Sequence, residues 1–279
     1  MKITRLRVAL VAGALAAAVV AVMATHRHAH DALANVAGIV AADPAQARDC
    51  AAAIGEAPVV LLILGQSNAA NRVTPKVASR TVTVIQRGRC YASAAPLPGA
   101  TGSQGSPWPD RVTLVERDVA PRRVARALLA VDSTTIDDWA DATPLRERLL
   151  AELAALQRAG IAVSAVLWQQ GEADALAGTS SAAYEANLVA LIRALRAGHV
   201  AAPVLLARST RCLDADGSAV RAAIARVAAR EPGVAEGADT DLLSGPMRAD
   251  GCHWSSAGAA AAARLWAPHV LHALRSAAP

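Results

Sequence analysis

Five short, largely apolar runs constrain the fold of this chain more than any other feature of its sequence. They are Pro58 to Leu64, Thr81 to Ile85, Ala125 to Val131, Ile161 to Trp168 and Val204 to Ala207. Runs of this length that are rich in branched residues are typical of strands buried on both faces of a parallel sheet. The chain is therefore expected to build a central sheet whose two faces are both covered.

Apolar stripes with helical spacing lie between and after these runs. They comprise Tyr184, Leu188, Leu191, Ile192 and Leu195; Leu145, Leu149, Leu153 and Leu156; and Val220, Ile224 and Val227. Strands that alternate with helices predict a parallel sheet with right-handed crossovers. Because ligands bind beyond the carboxyl ends of such strands, the loops that follow strands should carry the functional residues. The Gly-, Pro- and Ser-rich stretch from Arg87 to Asp110 is long enough to be functional as well.

The N-terminal segment has the charge order of an export signal. Lys2, Arg5 and Arg7 precede an uncharged stretch from Val8 to Ala24, which ends in a small-residue cleavage pattern. The length of this stretch lies between that of a signal peptide's apolar region and that of a membrane span, so cleavage and anchoring both stay open. We therefore expect an exported protein, periplasmic or secreted, or one tethered to the membrane by its N-terminus.

This segment defines the expected domain organisation. Residues 1–24 are the signal peptide or membrane anchor, residues 25–57 a linker and lead-in segment, and residues 58–279 one domain. Removal of residues 1–24 takes three positive charges from a formal net charge of +5 and leaves +2, which gives no electrostatic reason to expect nucleic acid as a partner.

His26, His28 and His30 follow the export segment in alternation. Such a tail occurs at metal sites, but it is more often a solvated linker. The sequence contains no Cys-x-x-Cys pair, which argues against structural zinc. We predict no metal site, and contact with a membrane only through an uncleaved N-terminal segment.

Cys50, Cys90, Cys212 and Cys252 form an even set in a chain expected to meet an oxidising compartment. Cys212 follows the fifth apolar run and Cys252 directly precedes His253, so both should lie at the carboxyl edge of the sheet. This placement predicts a Cys212–Cys252 disulfide, with Cys50–Cys90 as the second pair by elimination. Free buried thiols are the alternative.

The block Gly65-Gln66-Ser67-Asn68 comes directly after the first apolar run. A serine at a strand-to-helix turn has backbone N–H groups and a helix dipole nearby, both of which stabilise a developing oxyanion. A serine that only caps a helix gives the same pattern. Ala69 stands where the Gly-x-Ser-x-Gly nucleophile elbow has its second glycine, which argues against an ordinary α/β-hydrolase.

The block Asp250-Gly251-Cys252-His253 lies near the C-terminus, just before an Ala-rich predicted helix. An acid three residues before a histidine can accept a hydrogen bond from Nδ1 and leave Nε2 to take a proton from serine. A solvated turn with a capping aspartate fits these residues equally well. The segment from Trp168 to Asp174, after the fourth run, adds amides that can donate to an oxyanion and carboxylates that can brace a loop.

Together and in this order, the blocks resemble those of the SGNH hydrolase superfamily, in particular its sialate O-acetylesterase-like carbohydrate esterases. The resemblance extends from Leu64 to Gly258. It implies the following roles: Ser67 as nucleophile, Asp250 and His253 as acid and base, Gln170 as a side-chain oxyanion donor, and Gln66 and Glu172 as loop support. It also implies an α/β fold, a flavodoxin-like three-layer α/β/α sandwich with a five-stranded parallel sheet, and no cofactor.

One block departs from the family pattern. The stretch from Asp132 to Trp139 aligns with a family segment that begins Gly-Gly, and Ser133 takes the place of the second glycine. In the family, the backbone N–H of that glycine is another oxyanion donor. A serine keeps the N–H, but the donor would be strained or misdirected if the site requires a positive φ.

The resemblance implies a serine esterase that removes acetyl groups from O-acetylated sugars, so the expected partner is an acetylated glycan or a small ester. A general lipase or acyl-ester hydrolase with the same triad is one alternative, although it would need an apolar acyl channel. A non-catalytic glycan-binding or envelope protein on the same scaffold is another, since the Ser133 block is altered. The sequence indicates neither the sugar nor the oligomeric state.

Overall fold

The computed structural model describes residues 36–276. The predicted export segment, residues 1–24, and the three alternating histidines that follow it lie outside the described residues. No helix between residues 36 and 276 is both long enough and apolar enough to span a membrane.

Eight strands form a single sheet in the described part of the chain. They are β1 Ala47–Arg48, β2 Val59–Gly65, β3 Val82–Gln86, β4 Arg89–Ser93, β5 Val124–Ala130, β6 Ala165–Gln169, β7 Val204–Arg208 and β8 Val234–Asp239. Their order across the sheet is β1-β4-β3-β5-β2-β6-β7-β8. From β3 to β8 in this order, all neighbours are parallel, whereas β4 is antiparallel to both β3 and β1.

Between residues 36 and 276, eight α-helices accompany the strands. They are α1 Cys50–Ile54, α2 Trp108–Arg111, α3 Thr113–Val119, α4 Pro144–Arg158, α5 Glu172–Ala177, α6 Ser181–Ala197, α7 Ser218–Arg230 and α8 Ser256–Ser276. Helices α4 and α6 begin at ordinary N-caps, because the Thr143 hydroxyl accepts from the N–H of Arg146 and the Ser180 hydroxyl accepts from the N–H of Ala183.

The α/β class with a mostly parallel, helix-flanked sheet is confirmed, but the sheet has eight strands instead of the predicted five. The five predicted strands are β2, β3, β5, β6 and β7. The missed β8 contains Glu236, Gly237 and Asp239 and is only partly buried at the sheet edge, so it has no continuous apolar run. The other two strands that the sequence did not predict are β1, which has only two residues, and the short β4, which lies inside the predicted functional loop.

The strand order also differs from the flavodoxin-like arrangement that the resemblance implies. In that arrangement, the first parallel strand lies between the second and the third. Here β5 lies between β3 and β2. Nothing in the apolar pattern indicates which neighbours a buried strand takes.

The sheet separates two apolar cores, which makes the molecule three-layered. On β2, Val60, Leu62 and Leu64 point into the core formed with the apolar faces of α4, α6 and α7. Val59, Leu61 and Ile63 point into the opposite core, which contains α8 and Val115 of α3. All six of these residues are at most 1% exposed, so neither face of β2 contacts solvent. This explains why the strand appears in the sequence as an unbroken apolar run.

The described part of the predicted lead-in segment packs on the sheet. β1 pairs with β4, so that Ala47 lies opposite Tyr91, and α1 follows at once. The side chain of Ile54 is buried in the core, and Cys50 forms a disulfide with Cys90 of β4. The antiparallel edge of the sheet is thus held by a covalent bond as well as by hydrogen bonds.

At β2, in the centre of the sheet, the order in which successive strands are added reverses direction. After β2 the chain forms β3 and β5 on one side of it, and then β6, β7 and β8 on the other. In open α/β sheets, ligands bind beyond the carboxyl ends of the strands at such a switch point. This places the end of β2, at Gly65, at the expected binding position.

Candidate active site

Ser67 lies in a tight turn at the carboxyl end of β2. Gly65 ends the strand at a φ of +146°, and a Cβ there would lie 2.0 Å from the carbonyl oxygen of Gln169, so the position requires glycine. Ser67–Ala69 then form one 3-10 turn rather than the helix that the sequence predicts. Ser67 is 4% exposed, and neither its N–H nor its hydroxyl has a hydrogen-bond partner among the described residues.

Asp250 and His253 form a closely bonded pair at the same edge of the sheet. Nδ1 of His253 lies 2.7 Å from Oδ2 of Asp250, and Oδ1 of Asp250 accepts from the N–H groups of Cys252 at 2.9 Å and His253 at 2.7 Å. Partial burial raises the pKa of Asp250, but these hydrogen bonds outweigh burial and lower it to about 2. The carboxylate is therefore ionised near neutral pH and orients the imidazole.

Asn68 joins the serine turn to the histidine loop. Its Nδ2 donates to the carbonyl oxygen of Cys252 at 3.1 Å, and its Oδ1 accepts from the N–H of Trp254 at 3.2 Å. One side chain thus bonds the residues on both sides of His253. No hydrogen bond joins the Ser67 hydroxyl to the His253 ring among the described residues, so the two loops are brought together by Asn68 instead.

Glu172 lies behind Asn68 and is fully buried at the start of α5. Its Oε1 accepts from Nδ2 of Asn68 at 2.7 Å and from the hydroxyl of Ser209 at 2.6 Å. Burial raises the pKa of Glu172, although these hydrogen bonds and the charge of Arg248 oppose the rise. The fully buried Glu172 thus fixes the orientation of the Asn68 amide.

Arg248 supports the histidine loop from within. Its guanidinium donates to the carbonyl oxygens of Leu243 at 2.8 Å, Thr240 at 3.0 Å and Cys252 at 2.5 Å, and it stacks 4.4 Å from the ring centre of Trp254. Burial lowers the pKa of Arg248, and the charge of a nearby carboxylate, chiefly that of Glu172, opposes this. We call residues 250–254 the base loop, after the role that the resemblance implies for His253. Buried polar contacts therefore hold this loop on both sides of His253.

Gln66 contacts the loop that follows β6. Its Oε1 accepts from the N–H groups of Gly171 and Ala173, both at 3.2 Å. Gly171 takes a φ of +145°, and a Cβ there would lie 2.7 Å from the carbonyl oxygen of Ser209. The glycine lets the loops after β6 and β7 approach each other, and Gln66 fixes the first of these loops against the serine turn.

Ser133 adopts a left-handed backbone conformation with a φ of +58°. For a residue with a Cβ, this conformation costs roughly 1 to 2 kcal/mol. The residue before it is anchored, because Asp132 donates its N–H to the Thr101 hydroxyl at 2.9 Å and its carboxylate pairs with Arg72 at 2.5 Å. The backbone N–H of Ser133 has no hydrogen-bond partner among the described residues.

The side chain of Gln170, which the resemblance implies as an oxyanion donor, bonds acceptors within the protein. Its Nε2 donates to the carbonyl oxygen of Thr134 at 2.9 Å and to the carboxylate of Asp174, so both amide hydrogens are used within the protein. Its Oε1 accepts from the hydroxyl of Tyr184 at 2.9 Å, and the side chain is fully buried. Gln170 therefore contacts the residue that follows Ser133 and does not present a free donor.

Both predicted disulfide pairs are joined in the structure. Cys50 is bonded to Cys90 and Cys212 to Cys252. The second bridge connects the loop after β7 to the residue directly before His253, which lies within the base loop.

Sequence reasoning missed the roles of Asn68, Ser209, Arg248 and Arg72. Asn68 stands in the nucleophile block and Ser209 directly follows β7, so the rule that polar residues after strands form the site would have selected both. Arg248 and Arg72 carry no local signal. Their partners lie in distant loops, and a lone arginine is usually exposed.

Solved structures with the same fold have low sequence identity to this chain. A protein of Arabidopsis thaliana is 18% identical with a TM-score of 0.62, and the alignment covers 77% of this chain and 99% of that one. A carbohydrate acetylesterase from Xanthomonas citri is 16% identical with a TM-score of 0.57; the alignment covers 78% of this chain and 56% of that one, so the present chain spans about half its length. NanS is 14% identical with a TM-score of 0.53, and the alignment covers 78% of this chain and 98% of that one.

These similarities support the fold. No sequence among curated proteins matches the chain.

Residues 117–268, more than half of the chain, match the family described as carbohydrate esterase, sialic acid-specific acetylesterase. The chain belongs to this family, and it is a carboxylic ester hydrolase of the kind that acts on carbohydrates. The matched residues include Ser133, Gln170, Asp250 and His253, whereas Ser67 lies before them.

Proposed function

We propose that the protein removes O-acetyl groups from carbohydrates, with Ser67 as nucleophile, His253 as general base and Asp250 as the residue that orients it. The observation that carries the proposal is the pair of hydrogen bonds from Asn68 to the two neighbours of His253. Since Asn68 directly follows Ser67, these bonds bring the serine and the histidine to the same place. The bond between Asp250 and Nδ1 leaves Nε2 as the free ring nitrogen.

The proposed reaction proceeds through an acyl-enzyme. Nε2 of His253 takes the hydroxyl proton of Ser67 as Oγ attacks the ester carbonyl carbon. The tetrahedral intermediate breaks its bond to the sugar oxygen, which receives the proton from His253. Water then attacks the acetyl-serine and gives a proton to His253. The bond to Oγ breaks, Oγ takes that proton back from His253, and acetate leaves. The hydroxyl and imidazole are not hydrogen-bonded here, but in structures without substrate such bonds are often long and tighten when substrate binds.

The backbone N–H groups of Ser67 and Ser133 are the donors that we propose for the oxyanion. Both lack a partner within the described residues, and each follows the carboxyl end of one of two adjacent parallel strands, β2 and β5. Donors held by the fold need no reorganisation as the negative charge develops. Gln170 would act indirectly, because it holds the Thr134 carbonyl on the far side of Ser133.

We also propose that the protein is exported. The two disulfides are compatible with an oxidising compartment. Detection of the mature protein in the periplasm or medium, with both bridges oxidised, would support export.

The test uses an acyl-chain series of p-nitrophenyl esters beside an O-acetylated sugar, with the Ser67→Ala protein as control. We expect activity to be highest on acetyl esters, acetate to be released from the sugar, and Ser67→Ala to be inactive although folded. Highest activity on long acyl chains would instead favour a general lipase. Substantial activity in folded Ser67→Ala protein would exclude the proposed mechanism.

A further inference from the structure

A groove of about 750 Å³ opens beside the base loop, and the proposed chemical step does not use it. Its walls are the loops after β7 and β8, at residues 210–218 and 239–242, together with Arg221 of α7. We call it the β7–β8 groove. Its volume lies within the range of about 300 to 1,000 Å³ that is usual for small-molecule sites.

The groove lies at the same sheet edge as the serine. β2, β6, β7 and β8 are successive parallel strands, and neighbouring strands lie about 4.8 Å apart, so the groove begins roughly 10 to 14 Å from the end of β2. The Cys212–Cys252 bridge and the hydrogen bond from the Leu213 N–H to the Gly251 carbonyl oxygen at 3.0 Å connect its wall to the base loop. A ligand could therefore contact both the groove and Ser67 only if it extended over more than one small ring.

The floor of the groove presents polar atoms in fixed positions. Arg221 donates to Asp239 at 2.9 Å and to Asp241 at 2.7 Å, and Asp241 also accepts from the hydroxyl of Thr210 at 2.6 Å. A Cβ on Gly217 would lie 1.9 Å from that hydroxyl, so glycine is needed for the close approach of this loop to Thr210. Oriented carboxylate and guanidinium groups of this kind suit the alternating donors and acceptors of sugar hydroxyls.

Exposed apolar side chains lie at the rim of the groove, above this polar floor. Leu213 and Leu242 are 62% and 70% exposed, and Leu213 is held at a φ of +53°. Asp214, which also lines the groove, makes no hydrogen bond to another described residue. Apolar contacts and unused acceptors on one rim suit the C–H face and hydroxyl edge of a sugar ring.

The charge of the lining selects among sugars. The lining has four carboxylates, Asp214, Asp216, Asp239 and Asp241, against two guanidinium groups. This excess of negative charge disfavours an anionic ring, because like charges repel in a concave site. We propose that the groove binds neutral sugar rings of an acetylated oligosaccharide while an acetylated ring of the same molecule occupies the site at Ser67. This proposal rests on the proposed function.

The test measures kcat/KM on three substrates: p-nitrophenyl acetate, O-acetylated sialic acid as an anionic monosaccharide, and partially acetylated xylotetraose as a neutral oligosaccharide. The groove variant combines Leu213→Gly, Asp214→Ala and Leu242→Ala. All three side chains are exposed, and glycine accepts the positive φ at position 213, so the fold should be kept. Leu150→Ala, on exposed Leu150 of α4, is the matched control.

We expect the groove variant to lose about tenfold in kcat/KM on acetylated xylotetraose, chiefly through KM, with little change on the other two substrates. The Leu150→Ala protein should match the wild type on all three. Equal losses on all three substrates would show that the groove acts only through the base loop and would overturn the proposal, as would no loss on xylotetraose.

The outcome separates this proposal from the proposed function. If Ser67→Ala keeps its activity, the proposed mechanism fails, and binding of deacetylated xylotetraose to the Ser67→Ala protein then tests the groove directly. Binding that the groove variant weakens would support the groove as a sugar site. Binding that is absent, or unchanged in that variant, would overturn it.

Discussion

The loop that carries His253 and the loop that carries Ser133 flank the same serine, but they are held in different ways. On both sides of His253, the backbone is bonded by Asn68, and Arg248 and a disulfide add further ties. The loop at Ser133 is also anchored, by Asp132 before it. Ser133 itself, however, stands in a conformation that glycine adopts more readily.

This difference separates two ways of fixing a group for which we propose a catalytic role. The base loop combines several independent contacts, each of which supports the same arrangement. The Ser133 loop achieves its arrangement partly at the cost of backbone strain, which surrounding contacts must offset. Substitutions in the first loop should therefore reduce activity by removing support, whereas a suitable substitution at Ser133 should relieve strain without harming the reaction.

The largest expected loss of kcat follows from replacing Ser67 or His253. Ser67→Ala and His253→Ala should each lower kcat by roughly ten-thousand-fold, and the double variant should be hardly worse than either, because the two groups act as one unit. Single-turnover kinetics on an acetyl ester, with circular dichroism to verify folding, measure this. Losses that multiply in the double variant would show that the two residues act independently.

A smaller loss is expected when the link between serine and histidine is cut. Asn68→Ala removes both hydrogen bonds to the neighbours of His253, and misplacement of a base by about 1 Å costs on the order of a hundredfold in kcat. KM should change little, because the side chain of Asn68 is buried and offers a ligand almost no accessible surface.

Asn71 provides the matched control for this variant. It is also a buried asparagine, but its side chain bonds Leu97 and Ala100 in another loop. Asn71→Ala should lower the free energy of unfolding by a similar amount, about 1 to 3 kcal/mol, with a much smaller effect on kcat. Equal losses of kcat in the two folded variants would mean that Asn68 is important for stability alone.

The two disulfides allow a comparison at constant loop length, since both join residues 40 apart in sequence. In the chain-entropy model, each contributes about 4 kcal/mol to stability. Replacing either pair with serine should therefore lower the melting temperature comparably. Loss of Cys212–Cys252 should also reduce kcat severalfold at temperatures where both variants are folded, because this bridge borders His253. An equal kcat in the two variants would contradict a role of the bridge in holding the base loop.

The sequence predicted features that depend on neighbouring residues in the chain, such as a strand buried along its whole length or a short motif. β2 is buried on both faces and reads as a strand, and the serine and His–Asp blocks are local motifs. It was uninformative where a partner is distant. Asn68 contacts Trp254, which is 186 residues away, and no local pattern records that contact.

Gln170 shows a second kind of information that the sequence does not carry. An amide near an oxyanion site can donate to the substrate or to the protein, and the choice depends on competing acceptors. Here the acceptors are the Thr134 carbonyl oxygen and the carboxylate of Asp174, which follows four residues later. Only the folded structure shows that they use both hydrogens. The departure at Ser133, by contrast, was visible in the sequence because glycine is specifically suited to a positive φ.

The smallest expected effect tests that strain directly. Ser133→Gly should raise the free energy of unfolding by about 0.5 to 1 kcal/mol, since the relief of the left-handed conformation exceeds the added entropy of glycine in the unfolded chain. The proposed N–H donor is retained, so kcat should be unchanged or slightly higher. Ser133→Ala keeps the strain and removes only the hydroxyl, and it should show no gain in stability. Ala142→Gly, at another exposed residue with a φ of +61°, should gain similar stability without any effect on kcat. A large fall of kcat in Ser133→Gly would show that the serine side chain, rather than its N–H, takes part in the reaction.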